Sequence, residues 1–143
     1  MEYKRFENAI LVRMDAQEDI VEQVKKVALT EHITLASVQA LGALKEFTVG
    51  VYDVANKAYH ANSFSGSYEI VSLTGTIDTM NGEYYSHLHL SAADDKGNTV
   101  GGHLNKAIIS ATCEMVITPI KGQIDRVYDD KTGLNLWKFE SVI

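Results

Sequence analysis

Apolar and polar positions follow two rhythms along this chain. Residues 9–14, Ala-Ile-Leu-Val-Arg-Met, form a short apolar run of strand length. After it Ile20, Val24, Val27 and Ala28 recur at the spacing of one helical face, with Glu18, Glu22, Gln23 and Lys26 on the others. Asp15-Ala16-Gln17-Glu18 has the form of a capping box, in which Asp15 accepts from the amide three residues on and Glu18 reaches back. The pattern predicts an amphipathic helix over about residues 16–31 that covers one face of a sheet.

Beyond Thr34 the pattern is almost wholly strand-like. Residues 38–41 and 47–54 are rich in β-branched or aromatic side chains, with Gly42 between them as a bend or bulge. Residues 57–60 read as a short strand and 62–66, Asn-Ser-Phe-Ser-Gly, as a polar loop. Further strands are expected at 68–77, 84–91, 99–104, 108–117 and 134–139. Most links are too short for a crossover helix, so the pairing is expected to be antiparallel. The expected fold class is α+β, a large mostly antiparallel sheet with one principal helix packed on it, in a single domain over 1–143.

Composition narrows the function. Hydrophobic residues make up 45% of the 143 and charged residues 22%, as in a soluble globular domain, and no apolar run approaches a membrane span. The first residues lack the apolar stretch of a secretory leader, so cytoplasmic residence is the expectation. One cysteine, Cys113, excludes an intrachain disulfide, and its apolar surroundings suit an inert thiol. Net charge is −6, and the 13 basic residues are scattered, with Lys4-Arg5 and Lys25-Lys26 the only adjacent pairs. Nucleic-acid binding needs a basic stripe, so direct DNA contact is disfavoured. Phosphate-cradling loops, a dinucleotide fingerprint, a nucleophile elbow and a Cys-x-x-Cys pair are all missing from the sequence.

The candidate chemistry lies in three histidines. His87 and His89 are two apart in a predicted strand and so project from one face, with Leu88 and Leu90 on the other. Asp94-Asp95-Lys96-Gly97-Asn98 is rich in chain-reversing residues. A hairpin centred on Lys96 sets His103 opposite His89. Three neutral imidazoles suit zinc or another divalent transition metal and leave a position open for water, a small molecule or a ligand from another chain. The alternative is three polar residues on a solvated face. Register decides between them, because a slip of one residue sends His103 to the other side, and Gly101-Gly102 is a natural place for a bulge.

Two carboxylates are candidate catalytic groups. Glu69 is expected on the same strand face as Val71, Leu73 and Ile77, where a carboxylate must be paired, hydrogen-bonded or protonated. Glu114 lies in an apolar run and is a candidate partner for Arg126 or a histidine. Either is a candidate general base or support for a metal, and a strand-end ion pair is the equal alternative for Glu69. His32, near the predicted helix end, and His60, at an edge, read as ordinary surface residues.

Three blocks together carry a resemblance: Gly66-Ser67-Tyr68-Glu69-Ile70-Val71-Ser72-Leu73-Thr74-Gly75, then His87-Leu88-His89-Leu90-Ser91, then Gly101-Gly102-His103-Leu104. In order and spacing the chain closely resembles the plant and prokaryote conserved (PPC) domain family, from Ile10 through to the Thr132-Gly133-Leu134 turn. The resemblance implies an antiparallel α+β fold assembled as a homotrimer. It implies that His87, His89 and His103 match the family's metal-site histidines, commonly with zinc. Plant members add an AT-hook, an Arg-Gly-Arg-Pro segment absent from this sequence, and use the domain for self-association and contacts with other proteins. Bacterial relatives often carry a DNA-binding label. The fold is also similar to that of acetolactate decarboxylases. The reading that results is a metal-binding homotrimeric module with a regulatory or protein-interaction role; the alternative is a metal-dependent hydrolase or lyase with an open coordination position.

Overall fold

The structure, a computed structural model, describes residues 1–140. Its elements in chain order are β1 (Glu2–Arg5), β2 (Ile10–Asp15), α1 (Ile20–Thr30), β3 (Ala36–Asp53), β4 (Ala58–Met80), β5 (Glu83–Ala93), β6 (Thr99–Pro119), β7 (Asp125–Asp129) and β8 (Leu134–Lys138). They form an α+β fold with one large mixed sheet. Pairing is antiparallel except where Thr79 and Met80 of β4 meet Asp125 and Arg126 of β7 in parallel. Both β3 and β5 pair with β4 and with β6, so these four strands complete a closed circuit. Inside it lie Leu44, Phe47, Leu73, Ile77, Leu88, Leu90, Ile109 and Met115. The helix adds Ile20, Val24, Val27 and Ala28 to the same core.

The helix is shorter than the sequence pattern suggests. Gln17 has φ 75°, a left-handed conformation that no helix can pass through, so Asp15–Glu18 forms a turn instead. Glu18 does reach back to the Asp15 amide at 2.7 Å, but the helix cap is Asp19, whose side chain accepts from the Val21 amide at 3.1 Å. Predicted strands also merge. Segments 38–41 and 47–54 are one strand, β3, which accommodates Gly42 at a bulge. Residues 62–66, expected as a loop, belong to β4: Asn62 to Ser65 pair with Val49 to Glu46 of β3. Their polar side chains face outward, while Phe64 turns in and stacks on Phe47 at 5.3 Å between ring centroids. Likewise 99–104 and 108–117 run together as β6.

Gly75 of β4 sits opposite Leu88, between the two histidines of β5. A Cβ there would overlap the His87 carbonyl oxygen and come within 2.8 Å of the Leu88 Cα. The two strands therefore approach closely because this position carries no side chain. Gly75→Ala is expected to cost about 1–3 kcal/mol, the usual range for overpacking, read as a lower urea midpoint with an unchanged slope.

Candidate metal centre

The turn between β5 and β6 sets the register of the histidines. Asp94 Oδ1 accepts from the amides of Lys96 and Asn98, each at 2.9 Å, and Asn98 Nδ2 donates to Asp94 Oδ2 at 3.1 Å. Gly97 takes φ +80° at no steric cost. The ladder then runs from Ala93↔Thr99 to His89↔His103 without interruption, so Gly101-Gly102 forms no bulge against β5. Leu88 and Leu90 enter the core, and the three imidazoles share the opposite face.

Their ligand nitrogens all lie within 4.8 Å of one another. Nε2 of His87 stands 3.2 Å from Nε2 of His89. A tetrahedral zinc with nitrogens at about 2.0–2.1 Å needs them about 3.4 Å apart, so this pair has the spacing required and His103 needs only a modest ring movement. Burial, then the neighbouring His103 and His89, holds the His87 pKa below the usual imidazole value, with Arg126 adding to the effect and Asp78 opposing it. Burial and His89 lower His103 in the same direction. Neutral imidazole is the form that ligates a metal, so the environment favours the binding state. Tyr59 of β4 lies edge-on to the His103 ring, 6.0 Å between centroids, and its hydroxyl donates to Asn105 Oδ1.

Next to the histidines the sheet carries a buried ion pair. Thr74, Thr76 and Asp78 of β4 stand opposite His89, His87 and Tyr85 of β5. The Asp129–Gly133 turn, closed by Thr132 donating to Asp129 Oδ2 from its amide and its hydroxyl at 2.9 and 2.7 Å, folds β8 back along β7. Trp137 is thereby set opposite Arg126. Arg126 donates from Nε and Nη2 to the two oxygens of Asp78, both at 2.7 Å, and from Nη1 to the Asn135 carbonyl at 2.9 Å. Asp78 Oδ2 also accepts from Trp137 Nε1 at 2.7 Å and from the Thr76 hydroxyl at 3.2 Å. Asp78 is fully buried and Arg126 is 8% exposed. A cleft of about 430 Å³ is lined by Arg126, His87 and His89 and walled by Leu136 and Trp137.

A family model described as the Plants and Prokaryotes Conserved (PCC) domain matches residues 1–121. The chain belongs to this family. As a PCC domain it is similar in structure to a candidate DNA-binding protein from Bacteroides thetaiotaomicron, with 31% identity, 98% of each chain covered and a TM-score of 0.95. It is also similar to a metal-containing protein from Archaeoglobus fulgidus, with 31% identity, 97% of this chain and 100% of that one covered, and a TM-score of 0.86. The acetolactate decarboxylase of Bacillus subtilis shares the fold alone, at 14% identity over 81% of this chain and 54% of that one, with a TM-score of 0.59. No curated protein matches the chain in sequence.

The carboxylates singled out in the sequence lie elsewhere in this PCC domain. A bulge between Ile70 and Ser72 shifts the alternation of β4, so Ile70 and Leu73 turn inward while Glu69 and Val71 are exposed. Glu69 therefore does not occupy an apolar face. Glu114 is exposed opposite Arg13 and lines a neighbouring groove, and the partner of Arg126 is Asp78 rather than Glu114. Among the described residues, no carboxylate joins the histidine cluster. Asp78 escaped notice in the sequence because its partner arrives through the parallel β4–β7 contact, 48 residues away. A lone acid at the end of an apolar strand, with a single tryptophan downstream, was the available signal. Asp78→Asn leaves a buried guanidinium without its counter-charge and is expected to destabilise the fold by about 3–5 kcal/mol in urea unfolding. Glu69→Gln and Glu114→Gln, both at exposed positions, are expected to stay within about 0.5 kcal/mol of the parent in the same assay.

Proposed function

We propose that this chain is a metal-binding module with a regulatory or protein-interaction role, carrying one divalent transition metal, zinc before others, on His87, His89 and His103 within a homotrimer. One observation carries the reading: three imidazole nitrogens converge within 4.8 Å on one sheet face. Zinc takes such nitrogens, and sites that exchange ligands keep three protein ligands with the fourth position open. The likeness to a metal-containing archaeal protein supports it. Self-association is supported by a groove of about 850 Å³ on the outer sheet surface, where Leu11, Leu41 and Val71 are 47, 60 and 61% exposed and the paired Arg13 and Glu114 also line the wall. Exposed apolar surface rimmed by charge marks an interaction site, and two opposite charges allow a second copy to complement the first. Other proteins are the alternative occupants. DNA contact is left out of the proposal because the net charge of −6 opposes it. No described helix is long and apolar enough to cross a membrane, and cytoplasmic residence is part of the proposal.

A second reading, a metal-dependent hydrolase or lyase, is favoured by the cleft beside the histidines. A divalent ion held there supplies a Lewis acid or a bound water of pKa about 7. Neither Glu69 nor Glu114 lines that cleft.

Elemental analysis of the purified protein is expected to find about one transition-metal ion per chain, and His89→Ala to lose most of it, three histidines being the ligand set. Equal metal content in parent and variant sinks the assignment. Light scattering is expected to return three chain masses; a monomer at micromolar concentration rules out the trimer. Retention on duplex DNA at about 0.15 M salt would reverse the exclusion of DNA.

A further inference from the structure

The cleft next to the histidines has a second pole. A guanidinium carries five N–H bonds, and Arg126 uses three of them, two on Asp78 and one on the Asn135 carbonyl. Two remain, one on each terminal nitrogen, without a partner among the described residues. Arg126 also lines the cleft, so a molecule occupying it is the available acceptor.

The group is held in place. Its Cζ lies 4.7 Å from the Tyr85 ring centroid and 5.5 Å from that of Trp137, and Asp78 clamps it from below. A guanidinium fixed in this way loses little freedom on binding. Asp78 already accepts four hydrogen bonds, one on Oδ1 from Arg126 and three on Oδ2 from Arg126, Trp137 and Thr76, and it is fully buried. It therefore competes weakly for anything entering the cleft. Arg126 and Asp78 cancel in charge, so a divalent ion on the neutral histidines leaves the region positive and favours an anion. Leu136 and Trp137, each 41% exposed, form an apolar wall. The volume of about 430 Å³ is that of a small-molecule site.

We propose that the cleft binds a small organic acid, whose carboxylate accepts from the two free N–H groups of Arg126 and whose apolar body lies against Leu136 and Trp137. The proposal rests on the metal assignment above, since without the ion the ion pair is neutral and the anion loses its attraction. The ligand's charged head would then share the cleft with His87 and His89, which makes the histidine site responsive to a metabolite of this class.

Trp137 is the only tryptophan, so its fluorescence reports occupancy directly. Pentanoate titrated into zinc-loaded protein is expected to shift this emission saturably, with an affinity at least about tenfold above that of pentanamide, which has the same chain without the charge. Arg126→Lys keeps the charge but not the fork and is expected to weaken pentanoate about tenfold at unchanged zinc content. Should that variant fail to fold, Leu136→Asp, at a half-exposed position, tests the apolar wall and is expected to give a similar loss by setting a charged, hydrated group against the ligand's apolar body. Equal affinities for pentanoate and pentanamide, or an unchanged affinity in Leu136→Asp, overturn the proposal. Zinc analysis of the same samples separates the failures: pentanoate that does not bind to protein carrying one zinc per chain overturns this inference and leaves the metal assignment standing, while protein that takes up no zinc overturns both.

Discussion

The backbone of β5 hydrogen-bonds to β4 on one side and to β6 on the other, and the convergence of the three histidines follows from those two registers. In a strand with one buried face, a shift of one residue exchanges core for surface. Leu88, Leu90 and Ala92 are almost wholly buried, so a slip would expel them and bury His87 and His89 in their place. Hydrophobic burial thus enforces the histidine geometry from the opposite side of the sheet. The Asp94 turn adds a local restraint, because its hydrogen bonds to Lys96 and Asn98 allow one loop length. The close approach at Gly75 adds a third, holding β4 against the segment that carries both histidines.

The same face holds a second polar element whose cost must be met by its surroundings. A buried ion pair often contributes no more stability than a well-packed apolar substitute, since both charges lose their hydration. Asp78 and Arg126 offset that loss with a bidentate contact, further donors from Trp137 and Thr76, and two aromatic rings around the guanidinium. The pair also ties the β7–β8 hairpin to the closed circuit of strands. The hairpin in turn supplies Leu136 and Trp137 as one wall of the cleft. The Asp78–Arg126 contact therefore serves both the anchoring of the hairpin and the shape of the cleft.

Local patterns made much of this visible in advance. The amphipathic helix, the hairpin centred on Lys96 and the pairing of His89 with His103 all arise from residues close in sequence, where periodicity and turn chemistry act directly. The errors fell where a neighbouring strand outweighed local preference. The polar segment 62–66 reads as a loop, yet β3 pairs its backbone and Phe47 anchors Phe64. Gln17 turns left-handed and postpones the helix to Ile20. The bulge at Ile70–Ser72 reverses the parity of β4, which carried Glu69 from its expected apolar face to the exterior.

By itself the sequence determined which residues have the chemistry to converge and, through the leucines between them, which face they take. Three histidines spaced around one turn carry that information because hairpin pairing is a short-range relation. Only the tertiary structure decided what surrounds them. Arg126 and Trp137 reach the histidine face through a two-residue parallel contact and a returning hairpin, and no periodicity in the chain encodes that arrival. The physical reason is range: alternation and turn propensity act over a few residues, whereas the partner of a buried charge is chosen by whatever the completed fold brings within hydrogen-bonding distance.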